Sequence, residues 1–130
     1  MAFFMRRFGG ETHALMRIMV GLLFLWHGSQ KLFGFPKPPP EAPAIVIYVA
    51  GSIELVGGIL VAIGLFTRPT AFVCSGLMAA AYWMAHGSQH LIPLMNGGEL
   101  AALYCFVFLF IAANGSGMWS VDAARSGTTS

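Results

Sequence analysis

Four long apolar runs, separated by short segments that contain proline or glycine, limit what this chain can fold into. The runs cover residues 14–35, 44–66, 70–91 and 99–113. The hydrocarbon core of a membrane is roughly 30 Å thick and is crossed by a helix of about 20 apolar residues. A chain of 130 residues has no room beside four such helices for a soluble catalytic domain. The pattern therefore predicts an all-α polytopic membrane protein, an antiparallel bundle of four transmembrane helices, with a polar C-terminal tail over residues 118–130.

The composition agrees with a membrane environment. Hydrophobic residues make up 57% of the chain and charged residues only 9%, whereas about 25% of the residues of a soluble domain are charged. The net charge of +2 is too small and too dispersed for a nucleic-acid partner. Cys74 and Cys105 lie inside apolar runs and form no C-x-x-C motif, which favours a packing role over a redox pair. The lipid bilayer is thus the first predicted partner.

Basic residues are distributed unevenly between the two ends of the predicted helices. By the positive-inside rule, the end with more basic residues faces the cytoplasm. We therefore expect a multi-pass protein of a bacterial inner membrane with both termini in the cytoplasm. The basic residues predicted at the cytoplasmic end are Arg6, Arg7, Arg17, Arg68 and Arg125, and those at the outer end are Lys31 and Lys37.

A segment that begins His-Gly-Ser-Gln occurs twice, each time at the C-terminal end of an apolar run. The two copies begin at His27 and His86, and a tryptophan lies shortly before each copy. If the chain crosses the membrane and returns between the copies, both lie at the same face and at similar depth. We expect their side chains to meet there and to form the functional centre. The tryptophans are Trp26 and Trp83, and the glutamines are Gln30 and Gln89.

Other polar residues inside the apolar runs extend this predicted centre. Glu54 lies near the middle of the second run, where a carboxylate is expected to face the bundle interior and to be paired. Arg17 and Lys31, near the two ends of the first run, are interpreted as structural charges, with Arg17 as the counter-charge of the carboxylates. Glu99 begins the fourth run at the outer end, and Tyr82 aligns with His86 at helical spacing.

Taken together, these segments resemble the DoxX family of small membrane proteins over about residues 14–122. The resemblance implies a four-helix membrane fold. It also implies a range of activities, because some relatives are similar to the small subunit of a thiosulfate:quinone oxidoreductase, others are linked to quinone or thiol stress, and distant ones are membrane chaperones or cargo receptors. The second His-Gly-Ser-Gln goes beyond the family pattern. The matching stretches are Arg17 with GLLFLWHGSQKLF (21–33), ELVGG (54–58), GLFTRP (64–69), His86, GE (98–99) and WSVD (119–122).

The polar residues of the outer end fit a quinone-linked function. The two carbonyl oxygens of a quinone accept hydrogen bonds, and its reduction takes up protons that histidine and carboxylates relay near neutral pH. We predict an integral membrane subunit of a quinone-linked oxidoreductase system that binds quinone or a soluble redox subunit near the outer face. The predicted catalytic residues are Glu54, His27, His86 and Glu99. The predicted cofactor-binding residues are His27, Gln30, His86, Gln89, Tyr82, Trp26 and Trp83.

Three further functions stay open at this point. The chain is compatible with a non-catalytic accessory or chaperone subunit, and with a homo-oligomer. A haem-binding or metal-binding protein is a further alternative, whose ligands would come from His27, His86, His90 and Glu99. The duplicated segment is also compatible with the parallel repeats of some transporters. The electron donor, the partner and the oligomeric state do not follow from the sequence.

Overall fold

The computed structural model describes residues 3–127, and within that range no residue lies in a β-strand. The predicted all-α class is therefore confirmed. The last three residues of the predicted polar tail lie outside the described residues. In chain order the elements are a 3-10 helix Phe3–Phe8, α1 Gly9–Phe33, α2 Ala44–Ile63, α3 Thr67–Tyr82, a π-helical turn Trp83–Gly87, α4 Pro93–Asn96, α5 Glu99–Asn114 and α6 Val121–Ser126.

Two of the described helical segments are long and apolar enough to cross a membrane. They are Phe3–Phe33, with 31 residues, and α2, with 20 residues. Helix α5 is also apolar, but its 16 residues span only about 24 Å. Large apolar side chains are exposed on all four long helices, for example Leu22, Val56, Phe72 and Phe106. An apolar outer surface of this kind suits a lipid environment.

The observed helix boundaries differ from the predicted runs most clearly at the start of α1 and at the end of the third run. Helix α1 begins at Gly9, before residue 14, because Glu11 and Thr12 are polar residues that a helix accommodates where it leaves the apolar core. The third run, 70–91, corresponds to α3 and the π-helical turn, and the helix ends at Gly87. The residues that follow, up to Ile92, form turns and bends. The second His-Gly-Ser-Gln copy therefore begins inside the helix and ends outside it.

Helices α1 and α2 form a closely packed antiparallel pair. Their backbones touch at glycines, since a Cβ atom at Gly58 would lie 2.6 Å from the backbone nitrogen of Leu25, and one at Gly21 would lie 2.5 Å from that of Ala62. At Gly28 a Cβ atom would collide with the backbone of Leu55. Small residues at a membrane helix interface permit such close approach. This packing places the C-terminal part of α1 beside the N-terminal half of α2.

Helices α3 and α5 form the other antiparallel pair, and aromatic side chains join it to α1. The hydroxyl of Ser75 on α3 donates to the carbonyl oxygen of Cys105 on α5 at 2.7 Å. Phe24 on α1 is fully buried, and its ring lies 4.7 Å from that of Phe108 and 5.3 Å from that of Tyr104 on α5. These rings form the centre of the core.

Arg17 and Asp122 connect the chain ends to the bundle at the end that is rich in arginine. Arg17 is fully buried, and its guanidinium donates to the carbonyl oxygen of Val61 on α2 and to three carbonyl oxygens of the segment between α5 and α6. The Asp122 carboxylate accepts hydrogen bonds from the backbone N–H groups of Phe66 and Thr67, both at 3.0 Å, at the start of α3. The C-terminal segment is thereby fixed to two helices.

Candidate functional site

A cavity of about 240 Å³ lies between α1, α2, α3 and α5, in the half of the bundle that contains the C-terminal end of α1. Four of the sequence-predicted site residues line it, namely His27, Lys31, Glu54 and His86. The two histidines and Glu54 thus line one cavity. The remaining lining residues are Phe24, Met78, Ala81, Gly97, Leu100, Ala101 and Tyr104.

A buried ion pair forms one wall of this cavity. The Nζ atom of Lys31 lies 2.8 Å from one carboxylate oxygen of Glu54 and 3.0 Å from the other. The exposed fraction is 16% for the Lys31 side chain and 4% for that of Glu54. Arg17 does not take the predicted place of counter-charge to Glu54, because it is several turns away on α1 and its guanidinium is bonded to carbonyl oxygens. Lys31 neutralises Glu54 instead.

His27 and Tyr104 contribute polar groups to the cavity that are available to a ligand. The two rings meet edge to face, with centroids 5.9 Å apart. Tyr104 is only 5% exposed, yet its hydroxyl has no hydrogen-bond partner within residues 3–127. The same holds for the ring nitrogens of His27 over that part of the chain. Both side chains line the cavity and carry hydrogen-bonding groups, so they are suited to donate to a molecule in it.

His86 lies in the π-helical turn and is oriented by the loop that follows it. Its Nδ1 atom lies 3.0 Å from the backbone carbonyl oxygen of Asn96. A carbonyl oxygen only accepts hydrogen bonds, so Nδ1 carries the proton, and Nε2 of the neutral ring is an acceptor. Single π-helical turns are rare and occur frequently at functional sites. In this orientation the His86 ring lines the cavity.

The Asn96 side chain stabilises this loop. It is 7% exposed, and its Nδ2 atom donates to the hydroxyl of Tyr82 at 3.0 Å and to the carbonyl oxygen of His90 at 2.8 Å. Its Oδ1 atom accepts from the N–H of Gly98 at 2.7 Å. Asn96 thus joins α3, the turn after the π-helical segment and the start of α5.

Several predicted site residues lie outside the lining of the cavity. Gln30 donates to the carbonyl oxygen of Pro38 in the loop after α1, and Gln89 donates to that of Ala85. His90 and Glu99 are exposed. Trp26 and Trp83 are also exposed, and they pack against Phe35 and Tyr82 respectively. The two histidines of the duplicated segment therefore reach the cavity, whereas its two glutamines do not.

Tyr104 and Asn96 were missed at the level of the sequence. The one signal for Tyr104 is a hydroxyl-bearing residue in a fourth run that otherwise consists almost entirely of Ala, Leu and Phe around it. Asn96 precedes two glycines, a pattern that indicates only a turn. The alternative metal site is not assembled, because no three His, Cys, Asp or Glu side chains among residues 3–127 lie close enough together to bind one ion.

These features define a small all-helical membrane protein with a polar cavity between its helices. The chain belongs to the DoxX family, whose pattern matches residues 13–87, more than half of its length. The resemblance inferred from the sequence motifs is confirmed by this match.

Two relatives match the chain over most of its length. An uncharacterized protein of Haemophilus influenzae is 42% identical over 116 residues, which cover 84% of this chain and 87% of that protein. The Bacillus subtilis protein named "Putative oxidoreductase CatD" is 27% identical over 113 residues, with 83% of this chain and 82% of that protein covered. No solved structure matches the chain.

Proposed function

We propose that the chain crosses a bacterial inner membrane four times and that its polar cavity binds the head group of a quinone. The four spans are α1, α2, α3 with its π-helical turn, and α5. Both termini are cytoplasmic, and the cavity lies near the outer face. The protein acts as the membrane subunit of a quinone-linked oxidoreductase system, in which a soluble redox subunit supplies the electrons.

The observation that carries this proposal is the convergence of His27, Lys31, Glu54, His86 and Tyr104 on one cavity inside an apolar bundle. Ionisable side chains within a membrane are costly and generally mark a substrate or proton pathway. A purely structural ion pair between Lys31 and Glu54 would not need two histidines and an unbonded tyrosine hydroxyl beside it.

The residues of the cavity fit a quinone head group. The cavity volume of about 240 Å³ is below the roughly 300–1,000 Å³ of sites for drug-sized ligands. The cavity therefore suits a single quinone ring, with the apolar tail outside. Phe24, Met78 and Leu100 provide apolar walls. The Tyr104 hydroxyl and the His27 ring provide hydrogen-bond donors for carbonyl oxygens.

The same cavity contains groups that exchange protons. A bound quinone takes up two electrons and two protons when it is reduced. His86, with its Nδ1 proton held by the Asn96 carbonyl oxygen, exchanges a proton at Nε2. The pair of Lys31 and Glu54, which lines the same cavity, supplies a second proton-exchanging group. The name of the Bacillus subtilis relative, an oxidoreductase, supports a redox role.

The proposal is tested by titrating the detergent-purified protein with ubiquinone-1 in a calorimeter. Loss of one hydrogen bond costs about 1 kcal/mol, so His27→Ala and Tyr104→Phe are each expected to weaken binding several-fold, and the double variant more than tenfold. His86→Ala is expected to weaken binding as well. The matched controls are Gln30→Ala and Gln89→Ala, which remove the glutamines of the same duplicated segments and leave the cavity unchanged.

Two results would overturn this assignment. One is ubiquinone-1 binding in the His27, His86 and Tyr104 variants with the affinity of the wild type. The other is no binding by the wild type, combined with copurification of a soluble protein, which would favour the accessory-subunit function. Melting temperatures of all variants, measured on the same preparations, separate loss of binding from loss of folding.

A further inference from the structure

A second cavity, of about 470 Å³, lies at the opposite end of the molecule, where the turn between α2 and α3 meets α6. It has no part in the quinone proposal. Its lining combines basic, hydroxyl-bearing and apolar side chains, and includes Phe66, Thr67, Arg68, Pro69, Asp122 and Arg125. This end carries most of the arginines of the chain.

Arg68 is held so that part of its guanidinium stays free. Its Nη1 atom donates to the carbonyl oxygens of Ala112 and Ala113 at the C-terminal end of α5, at 3.2 and 2.6 Å. Within residues 3–127, the hydrogen bonds of this side chain come from Nη1 alone, which leaves Nε and Nη2 for another acceptor. A guanidinium fixed on one side presents the other side for bidentate binding of a phosphate group.

Arg125 brings a second positive charge to the cavity. Its guanidinium lies over the Phe66 ring, 5.4 Å from the centroid. Neither Arg68 nor Arg125 lies within 4.0 Å of a carboxylate of residues 3–127. Asp122 also lines the cavity, but its two oxygens accept the N–H groups of Phe66 and Thr67. Two guanidinium groups and one carboxylate give the cavity a net positive charge.

We propose that this cavity binds the phosphate group of an anionic phospholipid. The charge and the free guanidinium atoms define a phosphate site, and its rim argues for a lipid over a free ion. Phe66, at the rim, is 57% exposed and apolar, which suits the boundary between head groups and acyl chains. Basic pockets at the cytoplasmic ends of membrane helices bind such head groups. The inference rests on the membrane placement proposed above and is independent of the quinone.

The test compares melting temperatures of the full chain in a neutral detergent with added phosphatidylglycerol, phosphatidylcholine or inorganic phosphate. Phosphatidylglycerol is expected to raise the melting temperature of the wild type by several degrees more than phosphatidylcholine does. Arg125→Gln is expected to lose at least half of this difference. Its matched control, Arg6→Gln, removes an exposed arginine outside the cavity and is expected to keep the full difference.

Arg68→Gln is a second variant, whose own melting temperature without lipid reports any loss of the bonds to α5. Three results overturn the lipid site: equal effects of the two lipids, an unchanged response of Arg125→Gln, or equal protection by inorganic phosphate, which would assign the cavity to a free anion. Ubiquinone-1 binding is measured on the same samples. If the wild type binds ubiquinone-1 but is stabilised equally by the two lipids, the lipid site alone is rejected.

Discussion

At the scale of single residues, the pairing of Lys31 with Glu54 explains how a carboxylate is accommodated inside an apolar bundle. Glu54 lies on α2 where the glycine contacts bring α1 nearest, so a long side chain from the last turns of α1 reaches it. Arg17 is fourteen residues earlier in α1, about 21 Å away along the helix axis. Position along α1 therefore decides which cation neutralises Glu54.

Breaking this pair from one side is expected to be more damaging than removing it altogether. Lys31→Met and Glu54→Leu each leave one buried charge without a partner, which typically costs about 3–5 kcal/mol, whereas apolar replacement of both partners is often close to neutral. We expect the double variant to be more stable than either single variant. Unfolding in mixed micelles titrated with sodium dodecyl sulfate measures the three free energies. Strictly additive effects would show that the two side chains do not interact.

At the scale of elements, the close approach of α1 and α2 depends on glycines whose Cβ positions are occupied by the backbone of the partner helix. Gly28 faces the backbone of Leu55, and Gly58 faces that of Leu25. Gly76, on α3, is different, because a Cβ atom at that position would have no neighbouring atom within 4 Å. The same residue type is therefore essential at one helix interface and replaceable on another helix.

This difference predicts opposite outcomes for two equal substitutions. Gly28→Ala places a methyl group against backbone that cannot move aside, and overpacking of this kind costs about 1–3 kcal/mol. Gly76→Ala meets open space and improves helix propensity, so it is expected to be neutral or to stabilise by up to about 1 kcal/mol. Thermal melting of the two variants and the wild type gives the comparison. Similar destabilisation by both would contradict the packing described for α1 and α2.

The contact between α6 and α3 depends on pH through Asp122. Burial alone would raise the pKa of this carboxyl, but the N–H groups of Thr67 and Phe66, together with the nearby Arg125, lower it below its ordinary value of 3.8. A carboxyl with a lower pKa in the folded state stabilises the fold fully above its unfolded pKa, and this contribution disappears as the pH falls through the folded value.

Asp122→Asn is therefore expected to lower the melting temperature at neutral pH. The loss of a helix cap typically reduces the free energy of unfolding by about 1 kcal/mol. The difference between this variant and the wild type is expected to shrink as the pH falls below about 4, since the wild-type carboxyl then takes up a proton. Melting curves between neutral pH and pH 3 test this, with other carboxyls cancelling in the difference. A gap that stays constant with pH would refute it.

At the scale of the whole molecule, the sequence predicts which side chains lie together where they follow regular helical spacing. It does not predict this where the regular helix is interrupted. His27 and Lys31 are four residues apart and share a face of α1, so their common position is a consequence of helix geometry. Gln30 is three residues after His27, yet its side chain bonds to the carbonyl oxygen of Pro38 in the loop after α1, which helical spacing does not predict. Gln89 follows the π-helical turn and the end of the helix, so its relation to His86 could not be deduced from regular spacing.

The contacts of Arg17 show a second limit of the sequence. Three of its partners are backbone carbonyl oxygens about 100 residues later in the chain, and a carbonyl group is present at every residue. No side-chain pattern indicates such a bond in advance. Membrane insertion and the helical class, in contrast, follow from hydrophobicity and spacing alone, because they require only runs of apolar residues of sufficient length.

The antiparallel order of the four long helices makes a further prediction about the molecule in its membrane. The loop after α1, which contains Lys37, is at the same end as the cavity lined by His27 and Glu54, whereas Arg6 is at the other end. If that cavity faces outward, a cysteine in place of Lys37 reacts with a membrane-impermeant maleimide on intact spheroplasts. A cysteine in place of Arg6 reacts only after the membrane is opened. The wild type gives the background, since Cys74 is fully buried and Cys105 half-buried.

The reverse labelling pattern would invert the proposed orientation and move the cavity lined by Arg68 and Arg125 to the outer face. Labelling of both positions in intact spheroplasts would show that α1 does not cross the membrane between them, and would require the four-span arrangement to be abandoned.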